Sequence, residues 1–476
     1  MIALIMDATI PPFNPVVQET PSPVVSPQAG PPPPKQGVPK VVFFVAGGLF
    51  LVLLGFLVFK FVVPMLTKKP EVVTLTWWGL WEDDTNVASL ITEYQTSHPN
   101  VTINYVKQSP QDYRERLTNA LAQGRGPDIF RFHNTWVPMF KSELATVPTN
   151  VMTAGEFSQT FYPVAVSDLT SGTGFIGIPL EYDGLGLYIN NQIFEASGKT
   201  VPATWDDLRQ TAIELTVKDD QGIIQQAGAA LGRTENVDHW QEILALMMLQ
   251  NGVRMTNPTG KLAEDALDYF SVFSSVDGVW DETLPSSTTA FAGGKLAMYL
   301  APSWRVFEIK AQNPNLDFKV VPVPQLPKQS SSEANVAYAT YWVEGVWAKS
   351  PNADTAWDFL KFLATRESLQ KMYTAAARTR EFGEPYPRVD MQSLLVADPL
   401  AGAFVAQAGE AQSWYLASRT FDGPTGINSQ ISAYFEDAVN AVNEGGRSTK
   451  VLETAAAGVA QVLTQYGLTT TTTQAR

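Results

Sequence analysis

Glu82, Asp83 and Asp84 are three consecutive carboxylates directly after VVTLTWW, a run that reads as a buried strand. Two carboxylates held about 5–9 Å apart across a sugar can hydrolyse a glycosidic bond. The same run can instead cap a following helix, whose N-terminus favours negative charge, and that plainer role is the commoner one. The histidines are His98, His133 and His239, and no two have the spacing of a metal site. The chain has no G-x-S-x-G elbow, no P-loop and no H-E-x-x-H. Gly124-Arg125-Gly126-Pro127 ends a helical pattern and precedes a strand, the reverse of the order that cradles a pyrophosphate. There is no cysteine, which removes disulfides, thiolate metal sites, a thiol nucleophile and a lipidated cysteine anchor. Neither a cofactor nor a metal is expected.

Aromatic residues carry a more specific signal. The chain holds 12 tryptophans and 15 tyrosines. Trp78, Trp81, Trp136, Tyr182, Trp240, Trp304, Tyr341, Trp342 and Trp414 fall at expected strand ends and loops. Sugars offer apolar C–H faces that stack on rings, and hydroxyls that need carboxylate or amide partners, so a sugar pocket mixes the two. Any one of these rings taken alone is more simply core.

The elements that must position them alternate. Val72–Trp78 is a strand, Asn86–Thr96 an amphipathic helix and Val101–Val106 a strand. Tyr113–Ala122 is a helix, and Pro127–Phe130 begins another strand. This is the order of a doubly wound α/β unit, whose ligands bind beyond the carboxyl ends of the strands, here the loops after Trp78 and Phe132. Further on, Leu185–Ile189, Phe291–Leu300 and Phe318–Val323 read as strands. Helices are expected from Thr204, an N-cap with Asp207 at the capping-box position, and over His239–Asn251, Ala353–Ala364 and Ile431–Val442. No period of 20–50 residues recurs, which excludes a solenoid.

At 476 residues the chain exceeds the roughly 250–300 that one core supports, so at least two domains are expected. The net charge of −14 disfavours nucleic acid as a partner. Residues 1–40 hold 11 of the 33 prolines and read as a disordered or polyproline tail. Val41 to Phe59 is 19 residues without a charge; at ~1.5 Å per residue it spans about 28 Å, close to a bilayer core. An uncleaved transmembrane anchor over 41–66 is expected, with the membrane as a partner. Lys35 and Lys40 precede it and Lys60, Lys68 and Lys69 follow, so the positive-inside rule gives no orientation.

The motifs LTWWGLWED, HPNVTINYV, YRERLTNALAQGRGPDIF, GFIGIPLEYDGLGLYINNQIFEASG, VPATWDDL, AFAGGKLAMYLAPSW, FKVVPVPQLP and AKSPNADTAWDFLKFLAT form an ordered series, and the resemblance they carry extends over about Val72 to Gly467. In that order they resemble the extracellular solute-binding proteins of the maltose-binding type, receptors of ABC sugar importers. The resemblance implies an α/β, two-lobed, periplasmic-binding-protein-like (type II) fold with a hinge. One lobe would comprise 72–182 and 343–395, the other 183–342 and 396–467, with 468–476 a flexible tail. Crossings would lie near Tyr182–Gly184, Ala339–Glu344 and Met391–Pro399. It further implies a monomeric receptor, not an enzyme, that closes on a carbohydrate or other small polar solute and delivers it to ABC permease subunits. The matching motifs imply ligand contacts at Trp81, Glu82, Asn134, Trp136, Asp183, Trp240, Trp304 and Trp342. The family's glycine-rich reading at the last of these is ATYWVEG here. With no cysteine for a lipid anchor, the resemblance places the large C-terminal part outside the cell and the proline-rich tail in the cytoplasm.

Overall fold

Two helix-flanked β-sheets carry the body of the chain. The computed structural model describes residues 30, 39–62, 72–328, 330 and 333–468. The strands are β1 (Val73–Gly79), β2 (Val101–Lys107), β3 (Ile129–His133), β4 (Thr170–Ser171), β5 (Gly174–Phe175), β6 (Gly186–Asn190) and β7 (Val217–Lys218). They continue as β8 (Ile224–Ala229), β9 (Leu296–Ala301), β10 (Phe318–Val321), β11 (Ala337–Tyr338), β12 (Trp342–Val346) and β13 (Ala411–Gln412). The first sheet has the order β12-β3-β1-β2, with β1 parallel to both β2 and β3 and β12 antiparallel to β3. The second has the order β10-β6-β9-β8-β7, and only β8 and β9 run parallel in it.

The apolar pattern explains both layers. Leu75 and Trp77 of β1 and all of β3 are buried, as strands covered on both faces require. Helix Asp84–Ser97 turns Val87, Leu90 and Tyr94 inward, the i, i+3, i+7 stripe of a surface helix. In the second sheet β6 and β9 are buried throughout. Helix Trp205–Leu215 starts at Thr204, whose hydroxyl accepts from the Asp207 N–H and bonds its carboxylate at 2.7 Å. This helix lies so close to β8 that a Cβ on Gly228 would sit 1.9 Å from the Ala212 carbonyl oxygen. One expected strand is shorter than its apolar run. Residues Ser287–Ala292 form a helix capped by Ser286, the Gly293-Gly294 pair turns the chain, and β9 begins only at Leu296. The local cap and the helix it starts override the apolar pattern there.

The chain passes between the sheets at a few places. Ile178 bridges to Glu344 of the first sheet, Gly184 bridges to Ala339, and β6 then enters the second sheet. After β10 the chain returns through β11, paired with β13, to β12. Helix Arg366–Ala376 packs on helix Asp84–Ser97, and helix Gly402–Ala406 packs on β10.

Residues before Glu71 form a separate unit. Its helix Lys40–Leu57 continues as π-helical turns over Val58–Val62. Phe44, Leu49, Phe50, Leu51 and Val52 are all exposed on it. Among the described residues, no helix is long and apolar enough to cross a membrane. Residues 63–66 of the expected anchor, nearly all of the proline-rich tail and residues 469–476 lie outside the described residues.

Candidate ligand-binding cavity

Loops at the strand ends of both sheets enclose a cavity of about 400 Å³. That falls within the roughly 300–1,000 Å³ of small-molecule sites. From the first sheet come Trp81, after β1; His133, at the end of β3; and Trp342, opening β12. From the second come Pro302 and Trp304, after β9. His239 and Glu242 reach it from the start of helix Trp240–Gln250, and Glu181 and Asp183 from the segment that crosses between sheets. Arg380 and Glu384 enter after helix Arg366–Ala376, and Ser418, Arg419 and Phe421 from a late loop.

Trp81 is set in place by its neighbours. Gly79 lets Tyr105 close over the strand end, since a Cβ there would lie 2.3 Å from the phenolic oxygen. The Tyr105 hydroxyl then donates to the Glu82 carbonyl at 2.7 Å. The Trp81 ring meets Trp342 edge-on at 5.4 Å and Phe421 at 5.8 Å. Trp304 carries the Arg305 guanidinium on its face at 4.3 Å and meets His239 edge-on at 5.4 Å. Aromatic rings from both sheets therefore line one space.

The sequence-expected contacts divide. Trp81, Asp183, Trp304 and Trp342 line the cavity, as does Tyr341. Glu82, Asn134, Trp136 and Trp240 are buried and are not among the lining residues. Both Glu82 oxygens accept from Arg131 Nη1, at 2.7 and 2.6 Å. Its carboxylate is therefore committed to an ion pair, and it is not poised beside a sugar. Asp83 pairs with Lys107, and Asp84 lies in the first turn of a helix, so the three carboxylates diverge. Asn134 donates to Asp168 at 2.8 Å, Trp136 stacks on Tyr113 and Phe140, and Trp240 lies under the helix start. A tryptophan run fixes neither which ring points outward nor which carboxylate finds an arginine; both are long-range facts.

The residues that sequence reasoning did not place here are mostly charged or polar. Glu181, Glu242, Arg380, Glu384, Arg419 and the two buried histidines come from five separate segments with no shared motif. One local signal exists. Among the described residues, four non-glycine residues have positive φ, and three of them, His239, Arg419 and Phe421, line the cavity. Left-handed backbone at such residues costs free energy and gathers at functional sites.

Burial dominates the electrostatics. It pushes the Asp183 carboxyl up to about 7 and that of Glu242 to about 6, although each accepts hydrogen bonds that oppose the rise. Glu181 is raised well above its usual range by burial, against the pull of Arg131. Burial lowers His133 to about 3 and holds His239 well below its ordinary value, so both are neutral. Oxygens of Glu82, Glu181 and Glu384 lie within 4.8 Å of one another, the spacing of a cation site. Arg131 pairs with Glu82 and Arg380 with Glu384 at 2.6 Å, so two of the three carboxylates are already held in ion pairs.

Residues 89–379 match the family described as bacterial extracellular solute-binding protein. A putative binding protein of Brucella abortus (strain 2308) is 22% identical over 289 residues, which are 58% of this chain and 67% of that protein. The maltotriose-binding protein of Pyrococcus abyssi is 22% identical over 293 residues, 60% of each chain. The structure of the sugar-binding protein MalE from Xanthomonas citri superposes with a TM-score of 0.67 at 17% identity, over 83% of this chain and 98% of that one. The two sheets are thus the two lobes of a periplasmic-binding-protein-like fold.

Proposed function

The chain belongs to the bacterial extracellular solute-binding protein family, and from that premise we propose that it captures a carbohydrate between its lobes for an ABC transporter permease. The observation that carries the reading is the cavity itself: Trp81 and Trp342 from the first sheet and Trp304 after a strand of the second, with Phe421 from the late loop, beside Asp183 and Glu242. Rings take the C–H faces of a sugar and carboxylates take its hydroxyls. The maltotriose-binding relative and the sugar-binding MalE structure support the same ligand class. We take the lobes as 72–182 with 343–395 and 183–342 with 396–467, the boundary falling at Trp342, which itself pairs with His133 in the first sheet. A ligand touching both favours their closed arrangement, because only a difference in affinity between states shifts the equilibrium. That closed state is what a permease would recognise. Of the aromatic contacts we place most weight on Trp304.

The receptor is tethered in this reading. Helix Lys40–Leu57 and the turns to Val62 form 23 continuous helical residues with exposed apolar side chains, and Lys60 can reach back to the interface. In this reading the body lies outside the cell, which membership of an extracellular family supports, the proline-rich tail lies inside, and the receptor acts as a monomer.

The test is tryptophan fluorescence and thermal shift of the full chain in detergent against an oligosaccharide panel. A saturable shift with one sugar class and no product formed supports the receptor. Trp304→Ala is then expected to weaken binding by ~1–3 kcal/mol while leaving folding intact. A folded protein silent to every sugar, or turnover of one, would sink the proposal.

A further inference from the structure

Glu242 is 1% exposed and lines the cavity, and its two oxygens are treated differently. Oε1 accepts from the Ser418 N–H at 2.6 Å and from the Ser418 hydroxyl at 2.9 Å. Oε2 is buried with no hydrogen-bond partner.

The reason lies in a directional chain. Arg305 Nε donates to His239 Nε2 at 2.8 Å. Neutral His239 therefore carries its proton on Nδ1, which points at the Ser418 hydroxyl oxygen 2.9 Å away. The Ser418 hydroxyl in turn donates its hydrogen bond to Glu242 Oε1. Each donor in the chain is spent on the next acceptor, and the last acceptor atom has none. His239 Nδ1 lies 3.8 Å from Oε2 but is already committed to Ser418. A buried acceptor without a donor is costly, and more so when the group is charged. Two residues of this constellation's loops, His239 and Arg419, also sit in left-handed backbone. Cost and strain together mark a site built for something that arrives later.

We propose that Glu242 is the specificity-determining acceptor of the cavity: its Oε2 is reserved for an O–H donor of the bound sugar, and loss of that acceptor releases the ligand. The inference rests on the carbohydrate reading above and adds the atom that enforces it. A site holding such an acceptor discriminates strongly against an analogue that lacks the matching hydroxyl, because binding it would leave the acceptor unpaired. Protonation has a similar effect. Burial holds the Glu242 carboxyl at about 6, with Arg305 pulling it down. The other groups facing it are neutral His239, which itself feels the Arg419 charge, and the Tyr338 phenol. Binding favours the ionised form, so affinity is full above about pH 6 and falls as the pH drops through that value.

The test compares the full chain with its Glu242→Gln variant, using the tightest sugar of the oligosaccharide panel and its singly deoxygenated analogues. Glutamine can keep its oxygen toward Ser418 and put an amide N–H₂ donor where Oε2 stands. Expected are ~10-fold or weaker binding in Glu242→Gln, loss of the affinity step near pH 6, and blunted discrimination against one deoxy analogue. A step that remains near pH 7 belongs to Asp183. Unchanged affinity with an unchanged pH profile overturns the proposal. A ligand-free arm stands apart from the sugar reading. Removing an unpaired buried charge is expected to leave the unfolding temperature equal or higher, whereas a large fall would assign Glu242 a structural role and overturn the inference. If no sugar binds either form, the carbohydrate reading fails while the thermal arm still judges the acceptor.

Discussion

At the scale of single residues, burial rather than residue type decides what each polar group can do. Arg131 is fully buried and holds Glu82 and Glu344 at 2.6 and 2.7 Å. That network spends the most conspicuous acidic residue of the sequence on structure. Asp183 shows the opposite case, a carboxyl beside the cavity raised from 3.8 to about 7. Between pH 4 and 7 the native state holds a proton here that the unfolded chain has released. The Asp183 contribution to stability therefore declines as pH rises through that window and is flat above it. In Asp183→Asn the amide oxygen can still accept from Gly184 N and Ser303 N, while the amide N–H₂ meets a serine hydroxyl free to rotate. Relative to the parent, this variant is expected to gain nothing at pH 4 and about 1–2 kcal/mol by pH 8, after allowing for solvent screening in an open cavity. Urea unfolding at several pH values reads the difference, and a pH-independent offset would refute the assignment.

At the scale of elements, the site depends on how closely helices sit on the sheets. Helix Trp205–Leu215 approaches β8 through Gly228, where the backbone of Ala212 fills the place of a side chain. Gly228→Ala must push the helix off the sheet, an overpacking cost of at least ~1–3 kcal/mol. β8 neighbours β9, and β9 ends three residues before Trp304, so the shift should reach the cavity. The expected outcome is a lower unfolding temperature together with weaker sugar binding. Loss of neither would mean that the contact relaxes locally. The late loop is positioned more indirectly. Asp422 accepts from Asn428 N and Ser429 Oγ at the start of helix Ile427–Asn443, and this anchors the left-handed pair Arg419 and Phe421.

At the scale of the whole molecule, the chain divides after Pro70 into two units. The second holds both sheets and the cavity, and the first holds the exposed apolar helix. The full chain is expected to float with liposomes, and cleavage near residue 70 should release a body that still binds sugar. A full chain that stays with the aqueous fraction would defeat the tethering proposal. Ligand closure belongs to this scale too. Small-angle scattering should report a smaller radius of gyration with saturating sugar, because contacts from both lobes favour their approach.

The sequence by itself determined the alternation of strands and helices, because apolar periodicity and capping residues act over a few neighbours. Thr204 and Asp207 start their helix as read, and β1, β2 and β3 lie where β-branched and aromatic runs predicted them. The ordered motifs from LTWWGLWED onward also indicated the family that residues 89–379 match. Trp81 and Trp304 were legible as loop aromatics following strands. Tertiary structure alone decided which of the eight expected contacts face the cavity. Glu82 and Glu242 are both buried glutamates, and nothing local separates them. One meets Arg131, 49 residues away, and is satisfied; the other meets Ser418, 176 residues away, and keeps an oxygen unpaired. Hydrogen bonds of that range depend on how the chain crosses between its sheets, and periodicity carries no record of the crossing.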